Sequence, residues 1–225
     1  MDQPRREELR RRYLKVDASN VADVLDEFGL PDQGLAPAFG PYPANAGPLA
    51  GWALTIDGEM APYESSGGDP AKMEACARLT PGTVSVWSGK GEGVCFFGEL
   101  ISIGMQERGC VGAVVDGGIR DVRWLGDLGF PVYARYRTPV QSIGRWRVTG
   151  SGEPVSMPGA TISEVTVSPG DFILGDDDGV IVIPGDVAEQ VLERAEELGR
   201  REVEIRAELA RGLSLSEALA RFGHV

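Results

Sequence analysis

Two apolar segments in the middle of the chain, residues 111–115 and 130–134, constrain the fold most strongly. The first is a continuous apolar run, which is typical of a strand buried on both faces of a sheet. The residues between the two segments, 120–128, are helical in composition, and Gly129 can end that helix. This order of strand, helix and strand predicts a right-handed crossover between parallel strands. The sequence therefore predicts an α/β fold.

Hydrophobic periodicity and turn residues divide the rest of the chain into helices and short strands. We expect residues 116–118 to form the turn after the central strand, because Asp116 is followed by two glycines. No obvious linker precedes the β-rich section after residue 145, so we expect a single domain over residues 1–225, with N- and C-terminal helices. Helices are predicted at 5–14, 17–29, 71–79, 98–108, 186–211 and 214–222, and strands at 51–56, 83–87, 146–149, 154–157, 161–167 and 180–183.

The charge balance argues against a nucleic-acid partner. The chain has 22 Lys and Arg residues and 34 Asp and Glu residues, a formal net charge of −12. Affinity for phosphate backbones comes mainly from Lys and Arg, so an anionic substrate must be met by a local basic group. No apolar run approaches the roughly 18 residues of a transmembrane helix, and the N-terminus lacks the apolar core of a signal peptide. We therefore expect a cytoplasmic protein without a membrane partner.

Histidine and cysteine usage excludes several kinds of site. The one histidine, His224, is the penultimate residue, which argues against Ser-His-Asp catalysis and against zinc sites with several histidines. The three cysteines are odd in number and have no CxxC spacing, so neither a disulfide framework nor a thiolate zinc site is expected.

The first candidate site follows the central strand and contains Gly117, Gly118, Arg120 and Asp121. Ligands of open α/β sheets bind beyond the carboxyl ends of strands, and two glycines let the backbone approach a ligand closely. Arg120 offers a planar fork for a carboxylate or keto acid, and Asp121 offers a hard oxygen ligand for Mg²⁺ or Mn²⁺. The alternative is a β-turn with a capping aspartate and a surface arginine.

The second candidate site is Gly98-Glu99-Leu100-Ile101. If a helix starts here, the amides of Leu100 and Ile101 are free donors that could hold a carboxylate. Glu99 could act as a base or hold a metal-bound water. The alternative is that Glu99 is simply a favourable first-turn residue.

Three further features have simpler interpretations. The glycine-rich segment 89–93 lacks the spacing of a phosphate-binding loop, and its Lys90 is expected to be solvated, which argues against a Schiff-base role. The run Asp176–Asp178 could bind a metal, but is more typical of a solvated turn before a strand. The glutamates of helix 186–211 alternate with arginines, as on an exposed salt-bridged face.

Taken together, four segments resemble the RraA-like family, which includes class II 4-hydroxy-4-methyl-2-oxoglutarate aldolases and oxaloacetate decarboxylases. The resemblance covers about residues 17–195 and rests on GELI at 98–101 and on Arg120-Asp121 within VVDGGIRDVRWLGDLGFPVYA. The segments SNVADVLDEFGL at 19–30 and PGDFILGDDDGVIVIP at 169–184 are also similar to the family. Residues 87–93 and 140–156 depart from its pattern, and could line the part of the pocket that contacts the distal end of a substrate.

The resemblance implies a β/β/α sandwich like that of swivelling phosphohistidine domains, assembled as a homotrimer or a homohexamer. It implies a site at the subunit interface, in which Arg120 binds a 2-oxo acid and Asp121 anchors Mg²⁺ or Mn²⁺. The backbone of the second candidate site, Gly98 to Ile101, would hold the pyruvyl carboxylate, with Glu99 contacting water on the metal. A neighbouring subunit would contribute a C-terminal carboxylate, for which Glu196 and Glu197 are the candidates by position.

These implications predict a metal-dependent lyase that cleaves a carbon–carbon bond of a 2-oxo acid through a pyruvate enolate. Retro-aldol cleavage and oxaloacetate decarboxylation share this intermediate. The alternative is a non-catalytic protein that binds and inhibits an RNase E-like ribonuclease, as some RraA proteins do. A methyltransferase is a third interpretation, but the sequence has no nucleoside-binding glycine-rich strand–turn–helix to support it.

Overall fold

The structure is a computed structural model that describes residues 1–64 and 67–223. The helices within these residues are α1 (Gln3–Tyr13), α2 (Ala18–Glu27), α3 (Pro70–Ala77), α4 (Glu99–Gln106), α5 (Val122–Leu128), α6 (Ala188–Ala210) and α7 (Leu215–Phe222). The strands are β1 (Gly40–Tyr42), β2 (Leu49–Met60), β3 (Thr83–Trp87), β4 (Cys95–Phe97), β5 (Gly112–Ile119), β6 (Val132–Arg137), β7 (Trp146–Ser151), β8 (Val155–Pro158), β9 (Glu164–Val167), β10 (Phe172–Asp176) and β11 (Gly179–Ile183).

A mixed sheet of nine strands forms the centre of the molecule. Its main path runs β1-β6-β5-β3-β2-β10-β11, with β4 added to β5 and β7 added to β2. Strands β2, β3, β5 and β6 are parallel neighbours, and β4 is parallel to β5. Strands β8 and β9 form a separate antiparallel pair. The α/β fold class, with N- and C-terminal helices, is confirmed.

Three apolar clusters connect the sheet to the remaining elements. In the first, Met105 of α4 and Leu125 of α5 pack against β5 and β6. In the second, α1, α2 and α6 pack against β10 and β11, where the buried Tyr13 hydroxyl donates to the Ala188 carbonyl at 2.6 Å. The third cluster joins the β8–β9 pair to the sheet. Helices α3, α4 and α5 therefore lie against a different part of the sheet from the terminal helices.

The predicted turn at residues 116–118 is wrong, because these residues belong to β5, which extends to Ile119. A Cβ on Gly117 would lie 2.3 Å from Phe96 Cε1, and one on Gly118 would lie 2.5 Å from Tyr136 Cε2. The two glycines therefore make room for aromatic side chains of neighbouring strands, and no ligand is needed to explain them. Helix α5 likewise begins at Val122, two residues after the predicted start at residue 120.

Several other bounds differ from the expected ones. Strand β2 extends well beyond the predicted 51–56, and β1 and β4 are three-residue strands whose formation depends on neighbours distant in sequence. In the described ranges no helix is long and apolar enough to cross a membrane. His224, on which the exclusion of histidine chemistry rests, lies outside the described residues.

Candidate active site

A cavity of about 1020 Å³ opens where β4 and β5 end and α4 and α5 begin. It lies at the carboxyl ends of parallel strands, the position where α/β sheets usually bind ligands. Among the described residues, four parts of the chain line it: the start of α3, the β4–α4 junction, the β5–α5 turn and a loop before β7. The residues that line it include Lys72, Gly98, Glu99, Leu100, Ile101, Arg120, Asp121 and the loop residues Gln141, Ser142 and Ile143.

The β4–α4 junction presents the open end of a helix to this cavity. Gly98 is extended, and α4 starts at Glu99. The first amides of a helix have no acceptor within the helix itself. The Glu99 amide donates to Asp121 Oδ2 at 3.3 Å, and the amides of Leu100 and Ile101 follow it in the same turn. The predicted helix start in this segment is thus observed, and its binding of a carboxylate stays a prediction.

The β5–α5 turn brings Arg120 and Asp121 to the same wall. Asp121 has φ 60° and ψ 31°, a left-handed conformation that aspartate adopts more readily than most residues. The Arg120 amide donates to the Phe97 carbonyl at 3.1 Å, which fixes the turn against β4. Arg120 Nε lies 3.5 Å from Asp121 Oδ2, and both side chains remain partly exposed to solvent. A cation and a carboxylate are therefore available to a ligand together.

Gly98 is required by the packing of this turn. A Cβ at position 98 would lie 2.7 Å from Asp121 Oδ2 and 3.2 Å from Arg120 Cγ. Any larger residue would displace the carboxylate from the end of α4. The glycine thus contributes to the site by its lack of a side chain.

The donors at this wall fit a metal ion that shares its coordination with substrate and water. In residues 1–64 and 67–223 no group of three or more His, Cys, Asp or Glu side chains could hold a metal by itself. Mg²⁺ characteristically keeps several waters and needs only one or two protein carboxylates beside a substrate. Asp121, with Glu99 beside it on the same wall, satisfies that requirement.

Lys72 is a functional candidate that the sequence analysis missed. The residue is only 8% exposed, lines the cavity, and donates from Nζ to the Phe96 carbonyl. Burial lowers its pKa to about 8. One sequence signal could have found it: Lys72, Ala75 and Leu79 share helical spacing, which places a lysine on the buried face of α3.

The cavity lies within the part of the chain that matches a known protein family. The family model "RraA-like", described as Aldolase/RraA, matches residues 18–182, well over half of the 225 residues. The chain belongs to the RraA-like family. The matched segment contains Gly98 to Ile101, Arg120 and Asp121. It ends before α6, the helix that carries Glu196 and Glu197.

Two solved structures share the RraA-like fold described above. The "unusual member of the RNase ES inhibitor RraA protein family" from Streptomyces coelicolor, RraAS2, is 25% identical with a TM-score of 0.73 and covers 92% of this chain and 96% of its own. An uncharacterized protein from Pseudomonas syringae pv. tomato has a TM-score of 0.81 at 22% identity, covering 96% of this chain and 94% of its own. The second similarity concerns the fold alone.

One relative in sequence has a name that refers to an activity. The "Putative 4-hydroxy-4-methyl-2-oxoglutarate aldolase" of Halalkalibacterium halodurans is 38% identical over 135 residues. The match covers 58% of this chain and 60% of the relative, so it spans less than two thirds of the relative's length.

The structure places the C-terminal candidates of this RraA-like chain away from its own cavity. Glu196 accepts from the Arg12 guanidinium at 2.8 Å, and that arginine lowers the pKa of the Glu196 carboxyl. Glu197 lies 3.1 Å from Arg194 on the same helix. Within one chain, neither carboxylate joins Arg120 and Asp121. Their contribution from a neighbouring subunit stays a prediction.

The remaining candidates take structural positions. Lys90 is exposed and its Nζ lies 2.5 Å from Glu164 Oε1, which holds the pKa of the lysine above its ordinary value. Asp176 accepts from the Ala18 amide at 2.7 Å and from the Asp178 amide at 2.9 Å, as part of the β10–β11 hairpin. Residues 177 and 178 form the turn of this hairpin, as the simpler interpretation predicted.

Of the two segments that depart from the RraA-like pattern, one contributes to the described wall of the cavity. Gln141, Ser142 and Ile143 belong to the segment 140–156 and line it. The segment 87–93 does not. Its Gly91 carbonyl accepts from Arg135 Nη2 at 2.8 Å, so it packs over β5 and β6.

Proposed function

We propose that this chain is a divalent-metal-dependent lyase that cleaves a carbon–carbon bond of a 2-oxo acid and releases pyruvate. The observation that carries the proposal is the meeting of Arg120, Asp121 and the open N-terminus of α4 at one wall of the cavity. The name of the Halalkalibacterium halodurans relative supports the same class of reaction.

The N-terminus of α4 accounts for recognition of the substrate carboxylate. Successive amides at the start of a helix point outward and favour an anion. In this proposal the amides of Leu100 and Ile101 hold the carboxylate next to the oxo group. The Phe97 carbonyl fixes the Arg120 backbone, so that the guanidinium can extend over the same ligand.

Arg120 accounts for stabilisation of the negative charge that develops during cleavage. Breaking the bond beyond C3 of the 2-oxo acid leaves an enolate whose charge lies on the former oxo oxygen. A planar guanidinium can donate two hydrogen bonds to the oxo acid, and these strengthen as the charge develops. Retro-aldol cleavage and β-decarboxylation leave the same enolate, so one set of residues serves both reactions.

Asp121 and Glu99 complete the proposed machinery. Mg²⁺ or Mn²⁺ held by Asp121 would supply Lewis-acid polarisation of the 2-oxo group. The Glu99 amide fixes the Asp121 carboxylate, because it donates to Oδ2. The Glu99 side chain would orient the water that protonates C3 of the enolate, which completes pyruvate.

A homotrimer or homohexamer would complete the site in this proposal. Leu100 at the cavity is 79% exposed, and Trp124 on the neighbouring helix α5 is 50% exposed. Large apolar side chains exposed close to a site are typical of a surface that another chain covers. A neighbouring subunit meeting this surface could bring Glu196 or Glu197 to the metal.

A coupled pyruvate-release assay tests the proposed function. The substrates are oxaloacetate and 4-hydroxy-2-oxo acids, each with added Mg²⁺ or with excess chelator. We expect pyruvate release that chelation abolishes and that Mg²⁺ or Mn²⁺ restores. Full turnover in excess chelator, together with covalent trapping of the substrate on the protein by borohydride, would contradict metal dependence. That result would indicate a Schiff-base mechanism.

Inhibition of an RNase E-like ribonuclease is the second candidate function. The similarity to Streptomyces coelicolor RraAS2 supports it, and a net charge of −12 suits a basic protein partner. A chain that releases pyruvate from none of these acids but binds and inhibits a purified ribonuclease of that type would favour this function over the lyase.

A further inference from the structure

The cavity contains a second cation, Lys72, which the proposed reaction does not use. Lys72 comes from α3, whereas Arg120 comes from the β5–α5 turn, so different elements supply the two charges. Asp69 precedes α3 as its N-cap residue and links the helix to β7. Its Oδ1 accepts from the Lys72 amide at 3.1 Å, and its Oδ2 accepts from the Val148 amide at 3.0 Å.

The ammonium group of Lys72 has unused hydrogen-bonding capacity. An ammonium carries three donors, and among the described residues its one hydrogen-bond acceptor is the Phe96 carbonyl. Nζ lies 5.5 Å from the centroid of the Trp87 ring and 5.9 Å from that of Trp146, which offer the charge aromatic faces. A buried cation is costly unless it is paired, so an anionic ligand in the cavity would stabilise Lys72 through its remaining donors.

We propose that Lys72 binds the second carboxylate of a dicarboxylic 2-oxo acid and thereby selects such acids over monocarboxylic ones. This inference rests on the proposed function, which places the first carboxylate and the oxo group at the α4–α5 wall. Lys72 is then a specificity-determining residue at the α3 wall. With a lowered pKa of about 8, the side chain is still mostly protonated at neutral pH.

A matched pair of ligands isolates the contribution of the second carboxylate. Both 2-oxoglutarate and 2-oxopentanoate have five carbons and a 2-oxo acid group, but only the first has a carboxylate at the distal end. Calorimetric titration of the Mn²⁺-loaded wild type is expected to give about tenfold tighter binding, or more, for 2-oxoglutarate. Lys72→Met is expected to reduce this preference to about onefold, and to raise the KM for oxaloacetate by about tenfold.

Two further variants serve as controls. Lys90→Met removes the same charge from an exposed position and should keep the wild-type preference. Lys72→Gln is a second uncharged variant, to be used if Lys72→Met does not fold. Equal affinity of the wild type for the two acids, or an unchanged preference in a folded Lys72 variant, overturns the assignment while pyruvate release leaves the lyase intact. Binding of neither acid together with no pyruvate release overturns the proposed function itself.

Discussion

Arg120 is the residue on which the proposed reaction depends most. It would contact both the bound oxo acid and the enolate, so Arg120→Ala should lower affinity and rate together. A charge-assisted contact of this kind is worth on the order of 2–3 kcal/mol, or roughly 30- to 150-fold in kcat/KM. Arg120→Lys should recover little, because a point charge cannot reproduce the planar fork.

Steady-state pyruvate release by purified variants checks this prediction. Arg108→Ala is the control, because Arg108 follows the end of α4 and its side chain is exposed. Full activity of a folded Arg120→Ala protein would remove the guanidinium from the mechanism.

Asp121 should behave differently from Arg120, because its proposed role is to hold the metal. Asn also tolerates the left-handed conformation at this position, so Asp121→Asn should fold normally. We expect its Mn²⁺ activation curve to shift by about tenfold or more to higher concentration, with activity partly restored at saturation. An activation curve that coincides with the wild type would contradict this role.

The lowered pKa of the buried Lys72 side chain predicts that the stability of the protein depends on pH. Its folded-state pKa is about 8 against an ordinary 10.5, and the charged or titratable groups facing it are Asp69, Cys76, Cys95 and Arg120. At pH values between these two pKa values, the unfolded chain binds more protons than the folded chain. The free energy of unfolding therefore increases as the pH rises through this range. Relative to Lys72→Met, the wild type should gain on the order of 3 kcal/mol across that window.

Urea unfolding of both proteins at pH 7, 9 and 10 measures this difference. Other titrating groups are common to the wild type and Lys72→Met, so their contributions to the pH dependence cancel in the difference between the two proteins. Parallel stability profiles would show that the Lys72 pKa is not lowered by folding.

At the scale of elements, a buried ion pair explains how β5 can include the buried carboxylate of Asp116. Asp116 is fully buried, and its Oδ1 lies 2.7 Å from Arg135 Nε on β6. Its Oδ2 accepts from the Lys90 amide at 3.0 Å. Burial raises the pKa of Asp116, and Arg135 opposes that rise. The pair therefore ties β5 and β6 to the segment 89–93.

Arg135→Met should destabilise the protein by about 3–5 kcal/mol, because it leaves a buried carboxylate without its cation. Arg137→Met, at an exposed position of the same strand, should change stability by less than about 0.5 kcal/mol. Chemical denaturation of the two variants makes the comparison. Equal stability of both would mean that the ion pair contributes nothing to the sheet.

The strands and helices with the strongest local patterns were predictable from the sequence. The segments 111–115 and 130–134 contribute to the parallel neighbours β5 and β6. Arg120, Asp121 and Gly98 to Ile101 line one cavity, while their roles there stay predictions. Asp116 was misjudged because a carboxylate before two glycines is a strong local turn signal. In the structure that segment pairs with neighbouring strands, and Asp116 meets Arg135 while Gly117 and Gly118 leave room for Phe96 and Tyr136. None of these partners is close to it in sequence.

Lys72 was missed for a related reason. A lysine in a short helix is normally exposed, and no local pattern shows which carbonyl it will meet. Its burial depends on β4 and β7, which bring Phe96 and Trp146 around the end of its side chain. Both failures concern charged residues whose partners lie on other elements.

At the scale of the whole molecule, the exposed apolar residues beside the cavity predict assembly. We expect a trimer or hexamer in light scattering. Trp124→Glu should shift the protein to smaller species and lower pyruvate release, because a charge at the proposed interface opposes burial. Ile162→Glu, at a 41% exposed position between β8 and β9, is the control and should leave assembly and activity unchanged. A fully active monomer would remove any contribution of Glu196 or Glu197 from a neighbour.

The close contact between Gly98 and Asp121 restricts the substitutions that one side of the cavity can accept, whereas the other side has no such restriction. On one side, the close contact requires glycine at position 98, and the left-handed conformation limits position 121 to a few residue types. On the other, Gln141 and Ile143 are exposed loop side chains that line the same cavity. Substrate range can therefore diverge by point mutation at the loop while the reacting centre is inherited intact. A saturation library selected for new oxo acids should accumulate changes at 141–143 and return glycine at 98.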